Sequence, residues 1–293
     1  MTERYISIAS GAATLSAILH TPATDNAANM ADTGVLIIVG GPQYRVGSHR
    51  QFVKLSRALA AQGIASMRLD SAGMGDSSGN KAEFYRQSDD IAVAITAFFQ
   101  HCPQLKQVVL WGLCDAASAI LIALNKPDPR ICAVMLLNPW VRQSQSHAKT
   151  LLKHYYLKRL LQKDFWQKLF GGAVSPLRSL QELLLTIKAS KTANRHTSST
   201  SDVTEQNYIH HMQSGCRAFD ATMMLVTSGN DLTAKEFLTM CQQHKQWQSW
   251  LNTIEHQHID AADHTFSRQV WRQQVEQLTL QLVLQQLTRA TYG

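Results

Sequence analysis

The run Val108-Val109-Leu110-Trp111-Gly112-Leu113-Cys114-Asp115-Ala116-Ala117-Ser118-Ala119 leaves this chain few ways to fold. Its first residues are apolar, as in a buried strand. Its last are small and suit a helix. Between them, Gly112-Leu113-Cys114-Asp115-Ala116 sets a small residue on each side of a nucleophile. A strand that turns sharply into a helix exposes its central residue in a strained conformation. The flanking residues must be small because strand and helix pass close together there. A thiolate suits that corner, since the N–H groups and dipole of the helix start stabilise it. Taken without its surroundings, Cys114 is equally well a small buried residue, as cysteines often are.

The surroundings favour the elbow. Residues 5–9 and 13–19 read as short strands, and Val35-Leu36-Ile37-Ile38-Val39 as a central one. Residues 64–69, 134–137 and 222–227 read as further strands, and 251–254 as the last. Helical patterns occupy 50–62, 87–100, 203–217, 236–250 and 271–287. This alternation predicts an α/β fold with a mostly parallel central sheet and helices on both faces. A site is then expected at the carboxyl ends of the strands. The elbow leaves one such end, as do the loops at 40–47, 70–79 and 138–140.

Residues 141–219 interrupt the alternation, which divides the core into 1–140 and 220–293. Between 141 and 190 lysines and arginines interleave with Leu151, Leu152, Tyr155, Tyr156, Phe165 and Trp166. This is the pattern of a helical cap with one wet face and one dry face. Residues 190–202 are polar and small, and are expected to be mobile. The formal net charge of +7 points to an anionic partner, either the substrate or a membrane surface touched by the cap. No nucleic-acid-binding module accompanies that charge, so a nucleic acid is not expected. The cysteines (Cys102, Cys114, Cys132, Cys216 and Cys241) lack metal or disulfide spacing, and Met1-Thr2-Glu3-Arg4-Tyr5 does not resemble a secretion signal. These features lead us to expect a cytoplasmic protein, in contact at most with the inner membrane face.

A cysteine nucleophile needs a base, and the base needs a group to orient it. In elbow folds the chain order is nucleophile, acid, histidine. Asp231, in Ser228-Gly229-Asn230-Asp231, follows a strand and a glycine turn. It also suits the N-cap of the next helix. Among the 12 histidines, His264 lies in a polar segment between the expected last strand and the closing helix, with His256 and His258 as competitors.

With these in order, the chain resembles the α/β-hydrolase superfamily. Asp70-Ser71-Ala72-Gly73-Met74-Gly75-Asp76-Ser77 and Ala262-Asp263-His264-Thr265-Phe266 match two of its loops. More narrowly, Gly40-Gly41-Pro42-Gln43-Tyr44-Arg45-Val46-Gly47-Ser48-His49-Arg50-Gln51-Phe52, Trp111-Gly112-Leu113-Cys114-Asp115 and Leu137-Asn138-Pro139-Trp140-Val141 resemble the exosortase A system-associated hydrolase family, type 1. Those hydrolases are encoded with exopolysaccharide and protein-sorting genes in Gram-negative bacteria.

The resemblance implies catalytic Cys114, Asp231 and His264, cleaving an ester or thioester of a small acyl substrate. The net charge leads us to expect that substrate to be anionic or lipid-linked. Its oxyanion would meet the backbone N–H of Asp115 and, because Pro42 has none, that of Gln43. No metal or organic cofactor is implied. Acyl transfer to a sugar or amine, and a non-catalytic accessory protein, remain the alternative readings.

Overall fold

The computed structural model describes residues 2–23, 30–41, 43–142 and 202–292. It divides into two compact units, Met1–Val141 with Asn207–Gly293, and Arg142–Gln206. The expected cap lies outside the described residues from 143 to 201, as do the segment expected to be mobile, up to 201, and Pro42.

The first unit is built on one eight-stranded sheet. Its strands are β1 (Thr2–Ser10), β2 (Ala13–Thr21), β3 (Thr33–Ile38), β4 (Ser66–Asp70), β5 (Gln107–Leu113), β6 (Ile131–Leu137), β7 (Thr222–Ser228) and β8 (Glu255–Ile259). The order across the sheet is β1-β2-β4-β3-β5-β6-β7-β8. The β1–β2 and β2–β4 pairs are antiparallel, and every other pair is parallel. β3, β4 and, beyond its first residue, β5 are buried throughout, as sheets covered on both faces require.

The helices are α1 (Gln51–Ala61), α2 (Ser88–His101), α3 (Asp115–Ala123), α4 (Tyr208–Ala218), α5 (Leu232–Gln243), α6 (Lys245–Leu251) and α7 (Gln269–Tyr292). Phe52, Leu55 and Leu59 of α1 pack into one core with Trp111, Met135 and Val226 of the sheet and with Val275, Leu282 and Val283 of α7. Phe52 meets Trp111 edge-on at 5.5 Å, and the Trp111 indole donates to Thr279 Oγ1 at 3.2 Å.

The last strand is displaced from its expected place at 251–254. Those residues end α6 and form a turn, and the strand is Glu255–Ile259. The cause is the aromatic spacing just before it. Trp247 and Trp250 both meet Phe237 edge-on, at 5.9 and 6.3 Å, which a helical turn permits and a strand does not. β8 is an edge strand whose residues before Ile259 are all polar, so it carries little of the apolar alternation by which strands are recognised.

Candidate active site

The elbow is formed as its small residues require. Cys114 joins β5 to α3 at φ 65° and ψ −126°, outside the comfortable range of a side-chain-bearing residue. Such a conformation costs on the order of 1–3 kcal/mol and persists where its neighbours over-determine it. Here they do. Cys114 N–H donates to Leu137 O at 2.8 Å, and Cys114 O accepts from Ala117, Ser118 and Trp140 N–H. Ser118 Oγ donates to Trp140 O at 2.7 Å, fastening α3 to the end of β6. A methyl group on Gly112 would lie 2.7 Å from Ile120 Cδ1 and 2.8 Å from the backbone of Ala116 and Ala117. Glycine is therefore the residue that fits.

Asp231 follows β7 and caps α5, accepting from Thr233 N–H at 3.2 Å and Ala234 N–H at 3.1 Å. The same carboxylate meets His264 Nδ1 at 2.9 Å through Oδ2. The cap and the orienting role are thus compatible, because a carboxylate has lone pairs for both. A side chain on Gly229 would overlap the backbone of Asp260, so glycine lets the turn after β7 lie against the loop after β8. Gly229 N–H and Asn230 N–H then donate to Ile259 O and Ala262 O, at 3.0 and 2.9 Å.

His264 hydrogen-bonds Asp231, and the Cys114 sulfur is near enough to act on the charge of its ring. Burial works against its charge. Asp231 and Cys114 outweigh burial and raise its pKa to about 10. A ring set between a carboxylate and a sulfur is placed to carry a proton to or from that sulfur. Burial pushes up the other thiols, those of Cys132 and Cys241 to about 12, and those of Cys102 and Cys216 also upward. His256 and His258 turn elsewhere. Their Nε2 and Nδ1 share the Thr227 hydroxyl at 2.8 and 2.7 Å.

Gln43 follows β3 in an irregular loop. Its side-chain oxygen accepts Ser48 N–H at 3.2 Å, and its own N–H bonds no protein acceptor among the described residues. The Asp115 side chain does something its sequence position did not announce. Oδ2 accepts Gly41 N–H at 2.8 Å, and the carboxylate also faces the N–H groups of Ala116 and of Asp115 itself. Burial raises its pKa, against the pull of those three donors.

Asn138 is a second residue whose side-chain role the sequence left unread. It is fully buried with φ 44°. Its Nδ2 donates to Ser228 Oγ at 2.9 Å and to His264 O at 3.1 Å, while Oδ1 accepts Ser228 N–H at 2.8 Å. The Asn-Pro pair ending an apolar strand was the available signal. Among the described residues no group of three or more His, Cys, Asp or Glu is placed to hold a metal ion, and no helix is long and apolar enough to cross a membrane.

This geometry has clear relatives. The model of the Hydrolase_4 family, serine aminopeptidase, S33, matches residues 33–235, more than half of the chain. The protein belongs to that family. Its fold is the α/β-hydrolase fold, and it is an α/β hydrolase. No curated protein matches it. Among solved structures, the esterase Pf2001 of Pyrococcus furiosus is similar with a TM-score of 0.60 and 13% identity, over 97% of this chain and 90% of that one. Est1E of Butyrivibrio proteoclasticus with ferulic acid bound has a TM-score of 0.59 and 14% identity, over 97% and 99%. A proline iminopeptidase of Mycobacterium smegmatis has a TM-score of 0.57 and 14% identity, over 98% and 100%. The Hydrolase_4 description names a serine enzyme, whereas the elbow of this chain carries cysteine.

Proposed function

We propose that this protein is a cysteine-nucleophile acyl hydrolase that cleaves an ester or thioester with Cys114, His264 and Asp231. The observation that carries this reading is the 2.9 Å bond from His264 to Asp231 with Cys114 strained at the elbow and close enough to act on the same ring. The Cys114 thiolate attacks the acyl carbonyl, forming a C–S bond and moving the carbonyl π pair onto oxygen. Gln43 and Asp115 N–H groups receive that oxyanion. As it collapses, the bond to the alcohol or thiol breaks and the His264 imidazolium protonates the leaving group. The neutral ring then takes a proton from water, which attacks the thioester on Cys114 and frees the acid and the thiolate. Asp231 stays ionised and holds the ring in place.

An anionic or lipid-linked acyl substrate fits the net charge of +7. The basic residues between 141 and 190 support a peripheral contact with anionic lipid on the same ground. All five cysteines are free, which supports a reducing, cytoplasmic compartment. The motifs at 40–52, 111–115 and 137–141 support a place beside exopolysaccharide and exosortase systems.

The test is intact-protein mass spectrometry during incubation with p-nitrophenyl esters and acyl thioesters of varied chain length. An acyl adduct on Cys114 that decays to free acid is the expected result. No adduct with any acyl group would overturn the reading. Adduct decay that depends on an added sugar or amine, with the acyl group found on that acceptor, would replace hydrolysis by acyl transfer.

A further inference from the structure

The loop that carries Gln43 is held beyond Gln43 by Ser48 N–H on the Gln43 side chain and by the Arg68 guanidinium on Arg45 O at 2.7 Å. From the end of β3 to Ser48 its described residues form turns and irregular backbone. Gly41 has φ +64°, with open space where a side chain would be. Two carboxylates from other elements fix the loop. At its far end Asp70 Oδ1 accepts Arg45 N–H at 2.6 Å, and the Arg45 guanidinium pairs with Asp70 and Asp76. At its near end Asp115 Oδ2 accepts Gly41 N–H at 2.8 Å. Asp115 is covalently next to Cys114, so this second bond ties the loop to the nucleophile itself.

Asp115 Oδ1 is buried with no hydrogen-bond partner among the described residues. It lies so close to Gly40 that any side chain there would overlap it. An acid is favourable in the first turn of a helix, but a buried carboxylate with one oxygen left without a full partner carries a desolvation cost.

We infer that the Asp115 carboxylate is a positioning residue: through Gly41 N–H it fixes the start of the loop after β3 to the elbow, so that the Gln43 N–H is in place before substrate arrives. The inference rests on the acyl-hydrolase reading above. It assigns to the Asp115 side chain a role separate from that of its backbone N–H. Fixed donors need no reorganisation as charge develops, which is the source of their catalytic value.

The test compares Asp115→Ala with Asp115→Asn on p-nitrophenyl butyrate, with amide hydrogen exchange of the 39–46 peptide as a substrate-free readout. Alanine deletes the acceptor, and asparagine keeps an oxygen for Gly41 N–H. Asp115→Ala should lower kcat by about 10²-fold with KM nearly unchanged, the size of effect seen when one oxyanion donor is lost. Its loop should exchange roughly ten-fold faster. Asp115→Asn should restore most of both. Iodoacetamide should alkylate Cys114 at a similar rate in all of them, because the thiolate does not use the loop. If Asp115→Ala folds poorly, Asp115→Ser, which suits a helix start but whose hydroxyl is shorter than the carboxylate, should show the same pattern. Unchanged exchange in Asp115→Ala, or an asparagine variant as slow as alanine, would overturn the inference. Wild-type protein that is neither alkylated nor acylated at Cys114 would instead overturn the hydrolase reading, and the exchange result distinguishes the two failures.

Discussion

Asn138 Nδ2 donates to the carbonyl oxygen of His264 at 3.1 Å, joining the end of β6 to the loop that carries His264. The same amide grips Ser228 at the end of β7, and Ser228 Oγ donates in turn to Asp263 O at 2.9 Å. One buried side chain thus sets the spacing of three strand ends. Replacing Asn138 with Leu should leave Ser228 N–H without its acceptor and His264 O without this donor. The expected cost is about 1–3 kcal/mol in denaturant unfolding. Turnover should fall further than stability explains, because the His264 loop loses its anchor. A variant as stable and as active as wild type would show that the loop is held by other means.

Cys114→Ala should abolish hydrolysis in the protein while leaving its circular dichroism unchanged. Cys114→Ser is more informative. A serine hydroxyl is not ionised by an ion pair with imidazolium, and a protonated His264 cannot act as its base. We expect a loss of at least about 10²-fold in kcat, the span ordinarily supplied by general-base action. Near-wild-type turnover by the serine variant would mean that His264 is neutral in the resting enzyme.

The strain at Cys114 makes a prediction about stability that runs against the usual order of residues. Glycine adopts φ 65° freely and alanine does not. Cys114→Gly should therefore be more stable than Cys114→Ala by about 1 kcal/mol, measured by thermal or urea unfolding of the two inactive variants side by side. If alanine is the more stable, the elbow is relaxed in solution.

The pH dependence follows from His264, whose pKa rises from 6.5 to about 10 in the folded protein. Below 6.5 both folded and unfolded chains carry the proton, and the stabilising contribution is full. Between 6.5 and about 10 the folded chain keeps a proton that the unfolded chain has lost, so stability falls as pH rises. The unfolding free-energy gap between wild type and His264→Gln should be widest near pH 6, shrink as pH rises from there, and level off above about 10. Turnover should fall on the same alkaline limb, as the leaving-group acid is lost. Asp231→Asn removes one of the charges that hold the proton and should move that limb to lower pH. A limb that does not move would separate Asp231 from the titration of His264.

Much of this was legible in the sequence, because local physical chemistry writes it there. Continuous apolar runs mark inner strands of a covered parallel sheet, and β3 to β7 lie where those runs are. The small residues around Cys114 mark the elbow, because strand and helix cannot pass otherwise. The turn containing Gly229 and the N-cap pattern mark Asp231.

What the sequence left open depended on residues far apart in the chain. Several histidines follow Asp231, and composition does not rank them. The fold does, since the β8 side chains His256 and His258 fall on Thr227 while the loop beyond β8 carries His264 to Asp231 across 33 residues. The register of β8 was decided by packing of Trp247 and Trp250 on Phe237, not by any pattern within the strand. The bond from Asn138 to His264 spans 126 residues and that from Gly41 to Asp115 spans 74. A polar side chain carries no periodic signal of its own, so its partner is fixed only when the sheet brings the strand ends together and burial compels each donor to find an acceptor.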